Sequence, residues 1–453
     1  MGMGRRPQER QQEFWIASEA LASVPKHIFY DKLNELLDEA GFDAFVEELC
    51  QPFYSGIGRA SIPPGRYFRM LFVGYFEELD SQRGIAWRCA DSLSLRHFLF
   101  LEAAEESPDH SSLTRIRERL PLFVHEQVFA FVLEIARKKK LLSGTQVGVD
   151  ATTLEANAAM KSIVRRDSGE DWKEYLQRLA EAEGIEIHDE EDLRRFDKQR
   201  KKQGKKKVSN EEWTSPVDPD SRIIKMKDGR THLGYKAEHV VDLKSEYILS
   251  ADVVHGTDSD GETLAGSLVL AQTNLVRAGS EAEIQEVAAD KGYHANQTLL
   301  DCEQIGVRTY IPQRESGRRR WTDKPPEMEA AYRNNGRRVK REKGKRLQRI
   351  RSELLERSFA HVCETGGARR TWLRGLEKIN KRYQIHTAAR NLGLLMRDLF
   401  GVGKPRVLQD GLGALCFIYL HSRRVIWRSR VPRIRWSRHH RFGASRPALV
   451  AAA

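Results

Sequence analysis

TQVGVDATTLEAN, residues 145–157, marks a change in the character of the chain. Its polar and apolar side chains alternate, and Val and Thr are frequent, so it reads as a β-strand. The apolar run QVGVD is expected to end that strand at Asp150, with a loop beyond it. Before this point the period is helical. HIFYDKLNELLDEAGF puts Phe29, Leu33, Leu36 and Leu37 on one helix face. Ile62, Pro63 and Pro64 introduce a second buried helix, RYFRMLFVGYFEEL. PDHSSLT at 108–114 reads as a loop entering an N-cap, ahead of LTRIRERL and LFVHEQVFAFVLEIARKKK. The first 142 residues are therefore expected to form an all-α domain.

After the strand, residues 160–215 are charged and helical in character and include KQRKKQGKKK at 198–207; they read as an exposed insertion. THLGYKAEHVVDL, a turn at Lys244 and Ser245, and EYILSADVV form a hairpin pattern. GETLAGSLVLAQTNLVRAG is a helix closed by Gly279, and EIQEVAADKGY is a strand reaching Asp290. ANQTLLDCEQIG, VRTYIP and a long helix over 345–363 follow. The order β, insertion, β, β, α, β, α, β, α predicts an α/β domain, a mixed sheet covered by helices, over 143–402. An apolar helix ending near Leu420 and a basic tail make up 403–453.

With 453 residues and 40% apolar content, the chain can bury a core. No run of about 18 uncharged apolar residues occurs, and MGMGRRPQER has no apolar signal stretch, so a soluble, intracellular protein is expected. Cys50, Cys89, Cys302, Cys363 and Cys416 are scattered without a CxxC pair, which argues against a disulfide framework or a thiolate zinc site. The net charge of +12 favours a polyanionic partner, and the charge is concentrated. Arg314 to Arg351 holds fifteen Lys/Arg against five Asp/Glu, and Arg423 to Arg441 holds eight arginines. Such blocks suit grooves that follow phosphates.

Three acidic residues occur where a sheet would gather them. Asp150 and Asp290 end apolar strands, and Glu356 lies on the helix RSELLERSFAHV. Neighbouring strands stand about 5 Å apart, so carboxylates at adjacent strand ends can share hard divalent cations. Taken singly, a strand-end Asp is ordinarily a turn residue and a Glu on an amphipathic helix is ordinarily solvated. Asp258 and Asp260, in HGTDSDGET, read as caps of the helix that follows, and Asp218 and Asp220 as a turn. His110, His255 and His294 show no HxxxH pairing and read as ordinary polar residues.

The surroundings of the three acids carry more information. The chain resembles the insertion-sequence transposases of the DDE type over residues 20–415. VDATTLEANA at 149–158 resembles their first-aspartate motif, ADKGYH at 289–294 the second, and ERSFAH at 356–361 the third. PDHSSLTRIR at 108–117 is similar to their N-terminal domain. Many relatives carry Tyr-x2-Arg-x3-Glu-x6-Lys around the third acid. Aligned on Glu356, this chain has Arg349, Ser352 and Cys363 at the other three positions. Glu353, one turn away, is the competing third carboxylate. Phe359, three residues after Glu356, favours Glu356.

The resemblance implies an RNase H-like catalytic core and two Mg²⁺ ions, with Mn²⁺ able to substitute. Asp150 and Asp290 would hold the metals, and Glu356 would complete the coordination. Water would attack first to free a 3′-hydroxyl, which would then attack the second strand or target DNA. Partners would be double-stranded DNA, as element ends and target, and a second copy of the chain; the location would be the cytoplasm, at the nucleoid. Lys291 would face phosphate near the metals, and Arg314 would lie at the same end of the sheet. GGARRTWLRGLEKINKRYQIH at 366–386 offers Arg369, Arg370, Arg374, Lys378, Lys381 and Arg382 beside Trp372 and Tyr383, a mixture suited to backbone contact and base stacking. Arg369 or Arg370 would replace the missing lysine. A catalytically dead DNA-binding derivative and a non-transposing RNase H-like nuclease are the alternatives.

Overall fold

The computed structural model describes residues 27–55, 57, 61–102, 105–202, 210–226, 229–313 and 320–408. Arg314, Cys416 and the Arg-rich tail lie outside the described residues. Helices α1 (Ile28–Ala40), α2 (Phe42–Cys50), α3 (Pro64–Phe76), α4 (Gln82–Asp91), α5 (Leu93–Phe98), α6 (His110–Arg119) and α7 (Leu122–Lys138) form the N-terminal domain. Phe29, Leu33, Leu36 and Leu37 are all buried, as the spacing predicts. Arg69 of α3 is fully buried among these helices and donates to Asp43 Oδ1 at 2.7 Å and Asn34 Oδ1 at 3.0 Å. That pairing satisfies a charge that would otherwise be costly to bury. Asp109 caps α6, its Oδ1 accepting from Ser111 N.

The second part of the chain contains β1 (Gln146–Glu155), the short pair β2 (Val164–Arg165) and β3 (Trp213–Thr214), and the charged helices α8 (Trp172–Ala182) and α9 (Glu190–Lys202). α8 and α9 pack on each other through Leu176, Ala180, Leu193 and Phe196, so the insertion has its own small core. Strands β4 (Arg222–Lys225), β5 (Thr231–Asp242) and β6 (Ile248–His255) follow, then α10 (Asp260–Arg277), β7 (Glu286–Ala289), α11 (Asn296–Gln304) and β8 (Arg308–Tyr310). α12 (Pro326–Lys340), α13 (Glu342–Phe359) and α14 (Leu376–Phe400) complete the described elements.

The sheet runs β6-β5-β1-β7-β8, with β4 also paired to β5. β5 is antiparallel to β1 and β6, whereas β7 and β8 run parallel to β1 and β7 respectively. The element order predicts a mixed sheet, and an antiparallel meander continued by two parallel strands is the RNase H-like arrangement that the resemblance implies. One expectation is corrected. β1 does not end at Asp150 but continues to Glu155, because ATTLE pairs with residues 234–238 of β5 and Glu155 exchanges backbone bonds with Arg369 and Thr371.

Exposed sheet edges leave backbone groups unpaired. Here asparagines cover them. On the β6 edge, Asn380 of α14 donates to Val253 O and accepts from Val253 N, and Asn391 does the same for Ile248. Asn335 of α12 clamps Ile311, just past β8, in the same way. α14 also packs on α3 and α7, so one helix joins the sheet to the helical domain.

Candidate active site

The register sets the position of the first two carboxylates. Val149 pairs with Ala289, so Asp150 and Asp290 are the next residues on neighbouring parallel strands. Asp290 follows β7, and its Oδ1 accepts from Gly292 N at 2.6 Å at the head of a short turn. Burial pushes the Asp150 carboxyl up from its ordinary range; Arg351 pulls it back, and Asp290 and Asp260 push it up again. Arg351 Nη2 stands 2.9 Å from Asp150 Oδ2 and serves as its counter-charge.

Asp260 stands in the first turn of α10, where it complements the helix dipole as expected, but it is not the cap. The position before it, Ser259, is the N-cap of α10 and makes no side-chain cap bond. Asp260 instead approaches Lys236, with Nζ to Oδ1 at 3.2 Å. A Cβ on Gly292 would lie 2.6 Å from Asp260 Oδ2 and 2.7 Å from Asp290 Oδ1. Glycine therefore lets two carboxylate oxygens approach the backbone closely. Glu238, buried on β5, anchors this corner by accepting from Thr263 Oγ1, Ser267 Oγ and the hydroxyl of Tyr293. Neither Arg351 nor Glu238 belongs to a motif that singles it out in the sequence.

Helix α13 crosses the sheet close to β1 because Gly148 has no side chain; a Cβ there would meet Leu243 and Leu355 at 2.8 Å. Gln348 donates to Ala289 O at 3.0 Å, which marks the helix flank facing Asp290. At 100° per residue, Glu356 lies about 80° around the helix from Gln348 and Glu353 about 140°. Glu353 accepts from Arg357, which also reaches Glu246 in the β5–β6 turn, beside the N-terminal end of β1. Glu356 is exposed on α13. Among the described residues, no three acidic, His or Cys side chains come close enough to hold one ion together. The fold thus brings Asp150, Asp290 and Asp260 into one another's field and leaves Glu356 on the adjoining helix.

The proposed basic surface divides. Lys291 is exposed beside Asp290, and Arg370 is exposed with its guanidinium over Trp372. Arg374 is exposed and donates to Asn157 O at 3.3 Å. Arg369 is tied to Glu364 and to Thr152 Oγ1, and Lys378 pairs with Glu118. Lys381 and Arg382 correct the picture of one open patch. Lys381 is 4% exposed and donates to Arg117 O, while Arg382 is sunk beside Asp80, both in the seam with the helical domain. They turn inward because α14 packs on α7, a tertiary contact that local composition does not encode. Asp218 and Asp220 are more than a turn: they accept from Gly375 N and Leu376 N and hold the start of α14.

Comparison with protein families gives two matches. Residues 18–119 match a transposase domain (DUF772), and residues 285–396 match a transposase DDE domain. The chain thus carries a segment similar to a transposase domain and another similar to a transposase DDE domain. The second match spans Asp290 and Glu356, whereas Asp150 lies outside both. No curated protein and no solved structure matches the chain. Among its described residues, no helix is long and apolar enough to cross a membrane.

Proposed function

We propose that this chain is the transposase of a bacterial insertion sequence, binds the element's terminal inverted repeats, and cuts and rejoins DNA with Asp150, Asp290 and Glu356. The observation that carries the reading is the β1–β7 register, which sets two aspartates side by side on the central parallel strands of an RNase H-like sheet. Carboxylate oxygens are the donors a hard divalent cation takes, and those of Asp260 and Asp290 both lie against Gly292, in the field of Asp150. Asp150 and Asp290 would hold Mg²⁺ or Mn²⁺, two ions in all, with Glu356 brought in from α13. When bound, such ions polarise the phosphoryl group and ease deprotonation of the attacking hydroxyl.

The chain's own residues supply the remaining parts. Arg351 balances the Asp150 charge, and Glu238 with Tyr293 fixes the turn that carries Asp290. Lys291, Arg370 and Arg374 present positive charge to the DNA backbone on the solvent side. The helical domain reads the terminal repeats, and two copies of the chain pair the element's ends.

The test is strand cleavage of DNA carrying the element's inverted repeats, in Mg²⁺ or EDTA. Wild type is expected to cut only with metal. Asp150→Asn is expected to bind the ends yet cut roughly a thousandfold more slowly, or less, the scale of losing a catalytic group. Equal cutting by both proteins overturns the assignment. Binding without cutting by either makes the chain a DNA-binding derivative.

A further inference from the structure

A cavity of about 220 Å³ lies between the helical domain and α14, apart from the carboxylate site. Much of its wall is apolar, from Tyr67, Leu71, Ile85 and Leu373, yet Arg117, Lys381 and Arg382 also line it. Arg117 is 9% exposed, and its Nε has no hydrogen-bond partner among the described residues. The same holds for Arg382 Nη2, which stands 4.0 Å from Asp80 Oδ1, beyond hydrogen-bond length. Acids that pair with the other cations sit at the surface. Glu118 meets Arg117 at 3.6 Å and Glu377 meets Lys381 at 2.7 Å, with carboxylate side chains 45% and 63% exposed.

Buried donors left unpaired are costly, and burial pulls the Arg382 guanidinium down to about 10. The N-terminus of α4 adds its positive end through Ser81 and Gln82, which also line the cavity. At roughly 30 Å³ per water, the space is larger than a bare oxyanion needs.

We propose that this cavity is a phosphate-binding site that takes a phosphate ester, its oxygens on Arg117 and Arg382 and its organic part against the apolar wall. The ester has two sources, DNA or a free nucleotide. Thr371, next to Trp372 of the lining, bonds the far end of β1 through Glu155 O at 2.8 Å. That is five residues, or about 17 Å of strand, beyond Asp150. DNA lying along the carboxylate site extends to this point, and that source alone rests on the proposed function.

Full-length protein in EDTA is titrated calorimetrically with inorganic phosphate, thymidine 5′-monophosphate, thymidine, and a DNA duplex. Phosphate and the monophosphate are expected to bind, and thymidine is not. Arg382→Gln removes one charged donor. Gln82→Glu adds a negative charge while keeping the acceptor for Thr114 Oγ1. Each is expected to weaken phosphate by roughly 10-fold or more, Arg382→Gln by losing a charge-assisted hydrogen bond and Gln82→Glu by like-charge repulsion, with an unchanged circular dichroism spectrum. If DNA is the source, free phosphate competes with the duplex and Gln82→Glu weakens both. If a free nucleotide is the source, Gln82→Glu weakens the monophosphate and leaves the duplex unchanged. Absence of phosphate and monophosphate binding, or binding undiminished in both variants, overturns the proposal and leaves a water-filled cavity. Because no metal is present, these outcomes are independent of the cleavage test.

Discussion

The strand-borne and helix-borne parts of the proposed carboxylate site are fixed by different forces. Asp150 and Asp290 are set by backbone pairing, in which one register places both. A slip of one residue in either strand would turn its aspartate to the other face. Glu356 is set by the packing of α13 on β1, through Gly148, Leu355 and Arg351. Helix packing allows small rotations and shifts that a hydrogen-bonded ladder does not. The lesson is that the aspartate pair is built into the sheet, whereas the glutamate depends on where a helix rests.

The largest effect expected from this division is at the helix. Glu356→Gln should slow Mg²⁺-dependent cleavage at least ~100-fold, while Glu353→Gln should stay within about threefold, because an exposed pair with Arg357 contributes little. Cleavage rates of the two variants decide between them; the reverse order assigns the third carboxylate to Glu353.

Crowding the strand-borne pair comes next. Gly292→Ala places a methyl within 2.7 Å of Asp260 and Asp290 oxygens. A misplacement near 1 Å can cost about a hundredfold in rate, so cleavage should fall roughly 10- to 100-fold. Thermal melting should change little if the carboxylates move apart, and unchanged cleavage would show that the close approach at Gly292 has no part in the reaction.

Stability experiments separate the scaffold from the site. Asn391→Ala removes both bonds to Ile248 and leaves its N–H and C=O without these partners at the sheet edge. A loss of about 2–3 kcal/mol is expected in urea unfolding. A loss below about 0.5 kcal/mol would mean that water replaces the amide there.

The smallest effect concerns Asp252 on β6, a half-buried acid outside the site. Burial raises its carboxyl from 3.8 to about 6. The folded protein therefore holds this proton more tightly than the unfolded chain, and stability falls as pH rises through that window. Asp252→Asn should stabilise the fold by about 1–2 kcal/mol at pH 8 and by nothing near pH 4. Equal gains at both pH values would assign the effect to packing instead.

Much of this architecture is legible in the sequence. The change of period before Gln146 separates helices from strands, and QVGVD and EVAAD carry the pattern of buried parallel strands. The length of β1 is not legible, because ATTLE is held by β5 and by residues 369–371, far away in sequence. Asp260 shows why a local signal is incomplete. It stands where an acid complements a helix dipole, yet its neighbours Lys236, Gly292 and Asp290 arrive from two other segments. Lys381 and Arg382 look like surface cations in a basic stretch until α14 docks on the helical domain. Local pattern thus predicts elements and motif-borne acids, while charge burial and edge protection emerge only from long-range contacts.

Direct metal binding tests the central claim most closely. Titration of full-length protein with Mn²⁺, followed by electron paramagnetic resonance of the free ion, should reveal tight binding in wild type and in Glu353→Gln. Asp150→Asn and Asp290→Asn should each abolish it. Undiminished Mn²⁺ binding in both aspartate variants would contradict the account.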